Sequence, residues 1–230
     1  MNPIPYGKQC VDEADIQAVV DVLKSAHLTQ GSKVKEFEDA FSEYVGTSYS
    51  LAVSSGTSAL HLAVRALGLK QGDKVLCPSN TFVASANCVL FEKGVVDFVD
   101  INPQNYLIDL DKLEQKLEEV PTGTYKGLIT VDFAGYPVDM ERVSSIAEKY
   151  NLWTIEDSCH ALGAKFQDSE GNWQKVGNCR YADISIFSFH PVKHITCGEG
   201  GMMTFKNKEQ FEKASLLRSH GITKKQDDFQ

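Results

Sequence analysis

The chain has 230 residues, of which 42% are hydrophobic and 23% are charged, a composition typical of a globular protein with one substantial core. The net charge of −8 argues against nucleic-acid binding, because the longest basic run is Lys224-Lys225. No apolar run reaches membrane-spanning length, and the N-terminus lacks a basic and apolar leader. The six cysteines lack the spacing of a metal site or a disulfide framework, so we expect a cytoplasmic protein without a metal and without a membrane partner.

Two amphipathic helices are predicted near the start of the chain. Apolar residues recur with helical spacing over Asp12–Ala26, and Asp12 can cap the first helix. A second helical pattern runs over Val34–Tyr44 and closes at Gly46, where a glycine can adopt the left-handed conformation. The loop Leu28-Thr29-Gln30-Gly31 connects them.

After Gly46, short apolar runs alternate with helical stretches, which is typical of parallel strands joined by crossover helices. The predicted strands are Ser50–Val53, Lys74–Cys77, Val95–Val99, Leu128–Asp132, Leu152–Ile155, Ile184–Phe189 and Gly201–Phe205. The predicted helices are Thr57–Leu67, Val83–Phe91, Leu110–Glu119, Met140–Tyr150 and Lys208–Ser219. We therefore expect an α/β fold, a three-layer sandwich with helices on both faces of a mostly parallel central sheet.

The segment Ser54–Leu60 follows the first predicted strand and opens a helix. Backbone N–H groups at a helix N-terminus, together with its hydroxyl groups, suit a phosphate. Serine and threonine are also ordinary helix caps, so this pattern by itself leaves both interpretations open.

Glu156-Asp157 ends another predicted strand. A carboxylate at the carboxyl end of a parallel strand points into the crevice where such sheets bind ligands, although an isolated aspartate there is more often a cap or turn former. If a pyridine ring is bound, Asp157 can keep its nitrogen protonated and make the ring an electron sink.

Lys193 follows the apolar strand Ile184–Phe187 through the segment Ser188–Val192 and precedes Gly198–Gly201. Apolar neighbours disfavour the charged form of a lysine and favour its use as a nucleophilic amine. Most lysines are solvated surface charges, but three elements of this kind, each at a strand end, together favour a catalytic site.

These motifs resemble those of the DegT/DnrJ/EryC1/StrS family, fold-type-I aminotransferases that use pyridoxal 5′-phosphate (PLP) and act on nucleotide sugars. The resemblance runs through almost the whole chain, and its last motif is highly specific. It rests on Leu28–Gly31, Ser54–Leu60, Pro78–Phe82, Glu156-Asp157 with His160–Gly163, and Phe187–Lys193 with Gly198–Gly201.

The resemblance implies a role for each matching residue. Lys193 would carry the cofactor covalently, Asp157 would pair with the ring nitrogen, and Phe82 would stack on the ring. His160 would lie beside the ring or Asp157, although a lone histidine is more often structural. The residues implied to bind the cofactor are Gly56, Thr57, Phe82, Asp157, Ser188 and Lys193, and those implied to line the sugar site are Tyr6, Leu28, Thr29, Gln30, Gly31, Ser55 and Ser188.

The resemblance also implies the reaction and the partners. Ile4-Pro5-Tyr6 and His190–Lys193 are most similar to members that transfer the amino group of glutamate to C4 of a UDP-linked 4-keto-6-deoxy-N-acetylhexosamine in pseudaminic acid biosynthesis. Residues 1–230 would form the PLP-binding large domain with an N-terminal helical segment, and the chain would stop before the family's small C-terminal domain. We expect the full-length form to be a homodimer, and we expect Phe211, Leu216 and Leu217 of the last helix to need the missing domain as a partner.

Four alternatives remain open, and the first is an aminotransferase of the same family that acts on another nucleotide sugar. Some relatives are sugar dehydratases, but they carry histidine where this chain has Lys193. A cysteine desulfurase-like lyase is less favoured, because none of the six cysteines lies in a recognisable mobile nucleophile loop. A binding module that retained the fold without activity belongs to a different class, and it would not bind the cofactor covalently.

Overall fold

The computed structural model describes residues 4, 5 and 7–222. The helices in this part of the chain are α1 (Glu13–Leu23), α2 (Ser32–Val45), α3 (Gly56–Ala66), α4 (Val83–Phe91), α5 (Leu110–Glu118), α6 (Met140–Tyr150) and α7 (Lys208–Arg218). The strands are β1 (Tyr49–Val53), β2 (Lys74–Pro78), β3 (Val95–Val99), β4 (Tyr125–Val131), β5 (Trp153–Asp157), β6 (Lys165–Gln167), β7 (Trp173–Lys175), β8 (Ile184–Ser188) and β9 (Gly201–Phe205).

A seven-stranded sheet forms the centre of the molecule, with the strand order β1-β9-β8-β5-β4-β2-β3. Strand β9 is antiparallel to its neighbours β1 and β8, whereas all other pairs in this sheet are parallel. The predicted α/β fold with a mostly parallel sheet is therefore confirmed. The short hairpin β6–β7 was not predicted, because strands of three residues give no measurable alternation.

Alternation of side chains along the strands builds a core on each face of the sheet. In β2, Val75 and Cys77 pack with residues of α3, α4 and α7, whereas Leu76 packs with residues of α5 and α6. Successive residues of a strand point to opposite faces, so helices cover both sides and the three-layer arrangement is confirmed. A third cluster joins α2 to β8 through Phe41 and Phe187, whose rings meet edge to face at 5.0 Å.

The N-terminal helices form as their sequences predict. The Asp12 side chain caps α1 by accepting hydrogen bonds from the backbone N–H groups of Ala14 and Asp15. Gly46 ends α2 with a positive φ of 87°. Helix α1 is shorter than predicted, ending at Leu23, and none of its residues is buried. Among the described residues, its amphipathic face therefore lacks a covering surface.

The last helix is packed more completely than expected. Phe211 of α7 stacks on Tyr49 with ring centroids 5.3 Å apart and meets Phe205 edge to face at 5.7 Å. Phe211 is thus partly buried against β1 and β9, and the expectation that a further domain helps to cover this helix stays a prediction. Leu216 remains exposed. No helix in the described part of the chain is long and apolar enough to cross a membrane.

Candidate active site

One edge of the central sheet collects most of the residues that the sequence analysis singled out. Strands β1, β2, β4, β5 and β8 run in the same direction, so their carboxyl ends meet at this edge. The segments that follow these ends include the start of α3, the start of α4 and the loop that carries Lys193. Crevices at this edge are where open α/β sheets bind ligands.

The start of α3 provides a place for an anion. Ser55 caps the helix by accepting a hydrogen bond of 3.0 Å from the N–H of Ser58. Helix geometry leaves the N–H groups of Gly56 and Thr57 without partners inside the helix. The backbone of β9 lies close to the start of α3, since a β-carbon at Gly201 would lie 2.5 Å from the carbonyl group of Ser55. Gly201 thus allows the helix start to lie against the sheet.

Gly56 connects the helix start to two other strand ends. A β-carbon at Gly56 would lie 3.1 Å from Cys159 Sγ, just after β5, and 3.2 Å from Ser188 Cβ, at the end of β8. The absence of a side chain keeps this space open. The N–H groups of α3 and the Ser188 hydroxyl are of the donor types that a phosphate requires.

Asp157, the last residue of β5, is the carboxylate of the crevice. It is 5% exposed and accepts a 2.6 Å hydrogen bond from the Ser85 hydroxyl and a 3.2 Å hydrogen bond from the backbone N–H of Cys159. Ser85 lies in the first turn of α4, which begins directly after its N-cap residue Phe82. Phe82 is 69% exposed, so its ring is accessible from the crevice.

Lys193 lies in the loop between β8 and β9. Two hydrogen bonds close this loop at its base, from Phe189 N–H to Gly200 O and from the Thr196 hydroxyl to Phe189 O, both 2.9 Å long. The pKa of His160 is lowered by burial and then by the positive charge of Lys193. The same charge opposes the effect of burial, which raises the pKa of the Cys159 thiol. Lys193 is therefore within electrostatic range of the residues that follow Asp157.

Two further carboxyl groups are buried beneath the crevice. Asp132 is fully buried and accepts hydrogen bonds from Val138 N–H at 2.9 Å and from the Ser158 hydroxyl at 2.8 Å. Glu156 accepts a 2.5 Å hydrogen bond from the Ser185 hydroxyl. Burial, followed by the charge of Glu156, raises the pKa of Asp132, and burial also raises the pKa of Glu156. Burial thus shifts the pKa of both carboxyl groups upward.

The predicted cofactor residues thus gather at one edge, but the predicted sugar residues are divided. Ser55 and Ser188 lie at the crevice. The loop Leu28–Gly31 instead borders a cavity of about 300 Å³ that is lined by residues of α1, α2 and the loop itself. Tyr6 lies outside the described residues. Within residues 4, 5 and 7–222, no cluster of His, Cys, Asp and Glu side chains is placed to hold a metal.

Sequence reasoning missed three residues of this site. Ser85 contacts Asp157 across 72 positions of the chain, a contact that no local pattern indicates. Cys159 was considered only as one of the six cysteines, yet its sulfur borders Gly56. Gly201 was quoted within the motif that follows Lys193. The signal for its role was the pair of consecutive glycines at the start of a predicted strand, because a glycine there marks a close approach of another backbone segment.

Comparison with known proteins identifies the family to which these motifs belong. The DegT/DnrJ/EryC1/StrS aminotransferase family model matches residues 9–230. A UDP-4-amino-4,6-dideoxy-N-acetyl-β-L-altrosamine transaminase of Campylobacter jejuni is 47% identical over 223 residues, which cover 96% of this chain and 56% of that relative.

Solved structures agree. Helicobacter pylori PseC, described as an aminotransferase of pseudaminic acid biosynthesis, superposes with a TM-score of 0.87 at 36% identity, over 98% of this chain and 58% of that one. The PLP form of the sugar aminotransferase Spr1654 of Streptococcus pneumoniae gives 0.85 at 32% identity, over 97% and 59%. The chain spans a little over half the length of these relatives, and its fold is that of fold-type-I aminotransferases. The chain belongs to the DegT/DnrJ/EryC1/StrS aminotransferase family.

Proposed function

We propose that the protein is a PLP-dependent aminotransferase that transfers the amino group of glutamate to C4 of a UDP-linked 4-keto-6-deoxy-N-acetylhexosamine. The observation that carries the proposal is the convergence of the α3 N-terminus, buried Asp157 and Lys193 at one sheet edge. Family membership and the printed activity of the Campylobacter jejuni relative support it. A dehydratase is less favoured, because position 193 is lysine.

The described residues fit PLP. The cradle that a β-carbon at Gly56 would fill offers the N–H groups of Gly56 and Thr57 and the Ser188 hydroxyl to the phosphate. Asp157 is a buried carboxylate suited to a protonated ring nitrogen, and Phe82 offers an exposed ring for stacking. The fit requires no metal.

The chain's own residues then divide the chemical work. When bound, PLP supplies an electron sink that stabilises negative charge developing next to the transferred nitrogen. Asp157 holds a proton on the ring nitrogen and so maintains the electron demand. Lys193 would hold PLP covalently through Nζ; as a free amine it would act as a general base that takes the proton from the α-carbon of glutamate and then, as a general acid, returns it. His160 is proposed to lie beside the ring or Asp157; burial and then the charge of Lys193 lower its pKa, which favours the neutral imidazole.

The proposal also covers the sugar-binding residues, the oligomeric state and the cellular compartment. Ser55 and Ser188 offer hydroxyl groups at the crevice, and Tyr6, Leu28, Thr29, Gln30 and Gly31 are proposed to complete the sugar site. We also propose that residues 1–230 form the PLP-binding large domain, that the protein acts as a homodimer, and that it is cytoplasmic. All six thiols are free, which suits a reducing compartment.

The deciding assay uses the intact protein with PLP, glutamate and a panel of UDP- and dTDP-linked 4-keto and 3-keto sugars. We expect 2-oxoglutarate and the 4-amino sugar to form in equal amounts from the UDP-linked 4-keto-6-deoxy-N-acetylhexosamine. Preference for a dTDP-linked or 3-keto sugar would overturn the substrate while leaving the reaction in place. Loss of a sugar hydroxyl without amination would favour a dehydratase.

Covalent attachment is tested separately from turnover. Borohydride reduction followed by peptide mapping should find the cofactor on Lys193, and Lys193→Ala should abolish the labelled peptide. Lys126→Ala, which removes an exposed lysine of β4, is the matched control and should leave the labelling unchanged. Labelling of another lysine in the unmodified protein would refute the role of Lys193.

A further inference from the structure

Asp157 is held by a chain of hydroxyl groups that starts in the segment before α4. The Ser85 hydroxyl donates to Asp157 Oδ2 at 2.6 Å and is in turn the acceptor of a 2.9 Å hydrogen bond from the Thr81 hydroxyl. Thr81 can also donate to Phe82 O, at the longer distance of 3.2 Å. Ser85 is fully buried, so water does not compete for its single proton.

The surroundings of Asp157 make this hydrogen bond important. Buried carboxylates need donors, and hydrogen bonds to a charged acceptor are stronger than neutral ones. The nearby thiols of Cys77 and Cys88 are poor donors that stay protonated, because burial and then other charges, including Asp157, raise their pKa values. Apart from Ser85, the donors to Asp157 within the described residues are both on Cys159: its backbone N–H, at 3.2 Å, and its thiol, whose hydrogen bond to Asp157 helps to raise the pKa of that thiol.

We propose that Ser85, held by Thr81, is a positioning residue that fixes the Asp157 carboxylate for the ring nitrogen of the cofactor. This inference rests on the proposed function. With Oδ2 bound to Ser85 and Oδ1 near Cys159 N–H, rotation of the carboxylate would break both hydrogen bonds. The same segment carries Phe82, so α4 supplies both the ring-stacking side chain and the group that orients the carboxylate.

The test compares binding of PLP with binding of its 1-deaza analogue, in which carbon replaces the ring nitrogen. Dissociation constants are measured by equilibrium dialysis for the unmodified protein, Ser85→Ala and the nearly isosteric Thr81→Val. We expect the unmodified protein to prefer PLP. Ser85→Ala should reduce that preference about tenfold, as expected for loss of a hydrogen bond to a charged group, and Thr81→Val should reduce it less.

A matched control separates orientation from general destabilisation. Ser50→Ala removes another buried serine hydroxyl, which donates to Glu38 O in a part of the sheet that β9 and β8 separate from β5. It should leave the preference for PLP unchanged. Because both ligands are compared on the same protein, partial unfolding of a variant weakens both equally and leaves their ratio intact.

The outcomes distinguish the inference from the proposed function. An equal loss of affinity for both ligands in Ser85→Ala would reduce Ser85 to a space-filling residue and overturn the inference. An unmodified protein that binds both ligands equally would instead refute the pairing of Asp157 with the ring nitrogen. An unmodified protein that binds neither ligand would refute the proposed function itself.

Discussion

Gly56 and Ser188 approach so closely that a β-carbon at Gly56 would lie 3.2 Å from the β-carbon of Ser188. The two residues are 132 positions apart in the sequence, at the start of α3 and the end of β8. Their proximity makes the helix start and the strand end into a single binding surface. Any side chain at position 56 must displace that surface or occupy it.

Gly56→Ala is therefore expected to damage the anion site. The added methyl group would also lie 3.1 Å from Cys159 Sγ, and overpacking of this kind costs about 1–3 kcal/mol of unfolding free energy. We expect weaker PLP binding in equilibrium dialysis and a lower Tm. Adding Cys159→Ala should relieve one of the two contacts and recover part of both losses, with Cys159→Ala alone as the control. Unchanged PLP affinity in Gly56→Ala would contradict the cradle.

Asp157→Asn tests the carboxylate directly. The amide keeps the shape of the side chain but does not carry the charge that pairs with a protonated ring nitrogen. We expect turnover of the intact protein to fall by about two to three orders of magnitude, the usual cost of removing a group that stabilises transition-state charge. Asp183→Asn, at the opposite end of the sheet where Asp183 accepts from Thr154 N–H, is the control. Retention of most of the turnover in Asp157→Asn would exclude the proposed pairing.

The sequence was most informative where structure depends on local periodicity. The strand β8 and the helix α3 could be predicted, because apolar spacing and a capping serine act within a few residues. The direction of β9 could not, since antiparallel pairing with β1 and β8 depends on the path of the loop that holds Lys193. A role for Lys193 in that loop was predicted from the sequence, whereas the path of the loop was not.

Contacts between distant segments limited how much of the candidate site could be predicted from the sequence. The glycine at position 201 was part of a recognised motif, but its close approach to Ser55 depends on the register of β1 with β9. Ser85 gave no signal, because a serine in the first turn of a helix is ordinary until the end of β5 is placed beside it. Such residues require the fold before they can be assigned a role.

Gly201→Ala tests that backbone approach. A β-carbon there would lie 2.5 Å from the carbonyl carbon and oxygen of Ser55 and 2.9 Å from the nitrogen of Gly56, and backbone atoms cannot rotate away. We expect the start of α3 to be displaced, with lower PLP affinity and a lower Tm. Gly198→Ala is the contrast: its φ of 82° is strained for alanine, but the space is open, so it should cost about 1–2 kcal/mol without loss of the anion site. Equal PLP affinities in the two variants would contradict the steric argument.

The buried carboxyl groups of Asp132 and Glu156 predict a specific dependence of stability on pH. Because burial raises both pKa values, the folded state binds their protons more tightly than the unfolded chain does. Their contribution to the unfolding free energy is fully present below the ordinary carboxyl pKa of about 4. It is lost as the pH rises through the higher pKa values of the folded state.

Asp132→Asn should remove much of this dependence. An asparagine reproduces the protonated carboxyl group: its oxygen can accept from Val138 N–H, while its NH2 group can donate to Ser158 Oγ. Urea unfolding measured from acid to alkaline pH should show the variant gaining stability relative to the unmodified protein as the pH rises.

Asp168→Asn supplies a control of opposite sign. Burial raises the pKa of Asp168, but hydrogen bonds from Asn172 and Gln174 outweigh it and lower the pKa, so the stability that Asp168 contributes is lost as the pH falls. A curve for Asp132→Asn that runs parallel to that of the unmodified protein at every pH would mean that Asp132 is not protonated in the folded state.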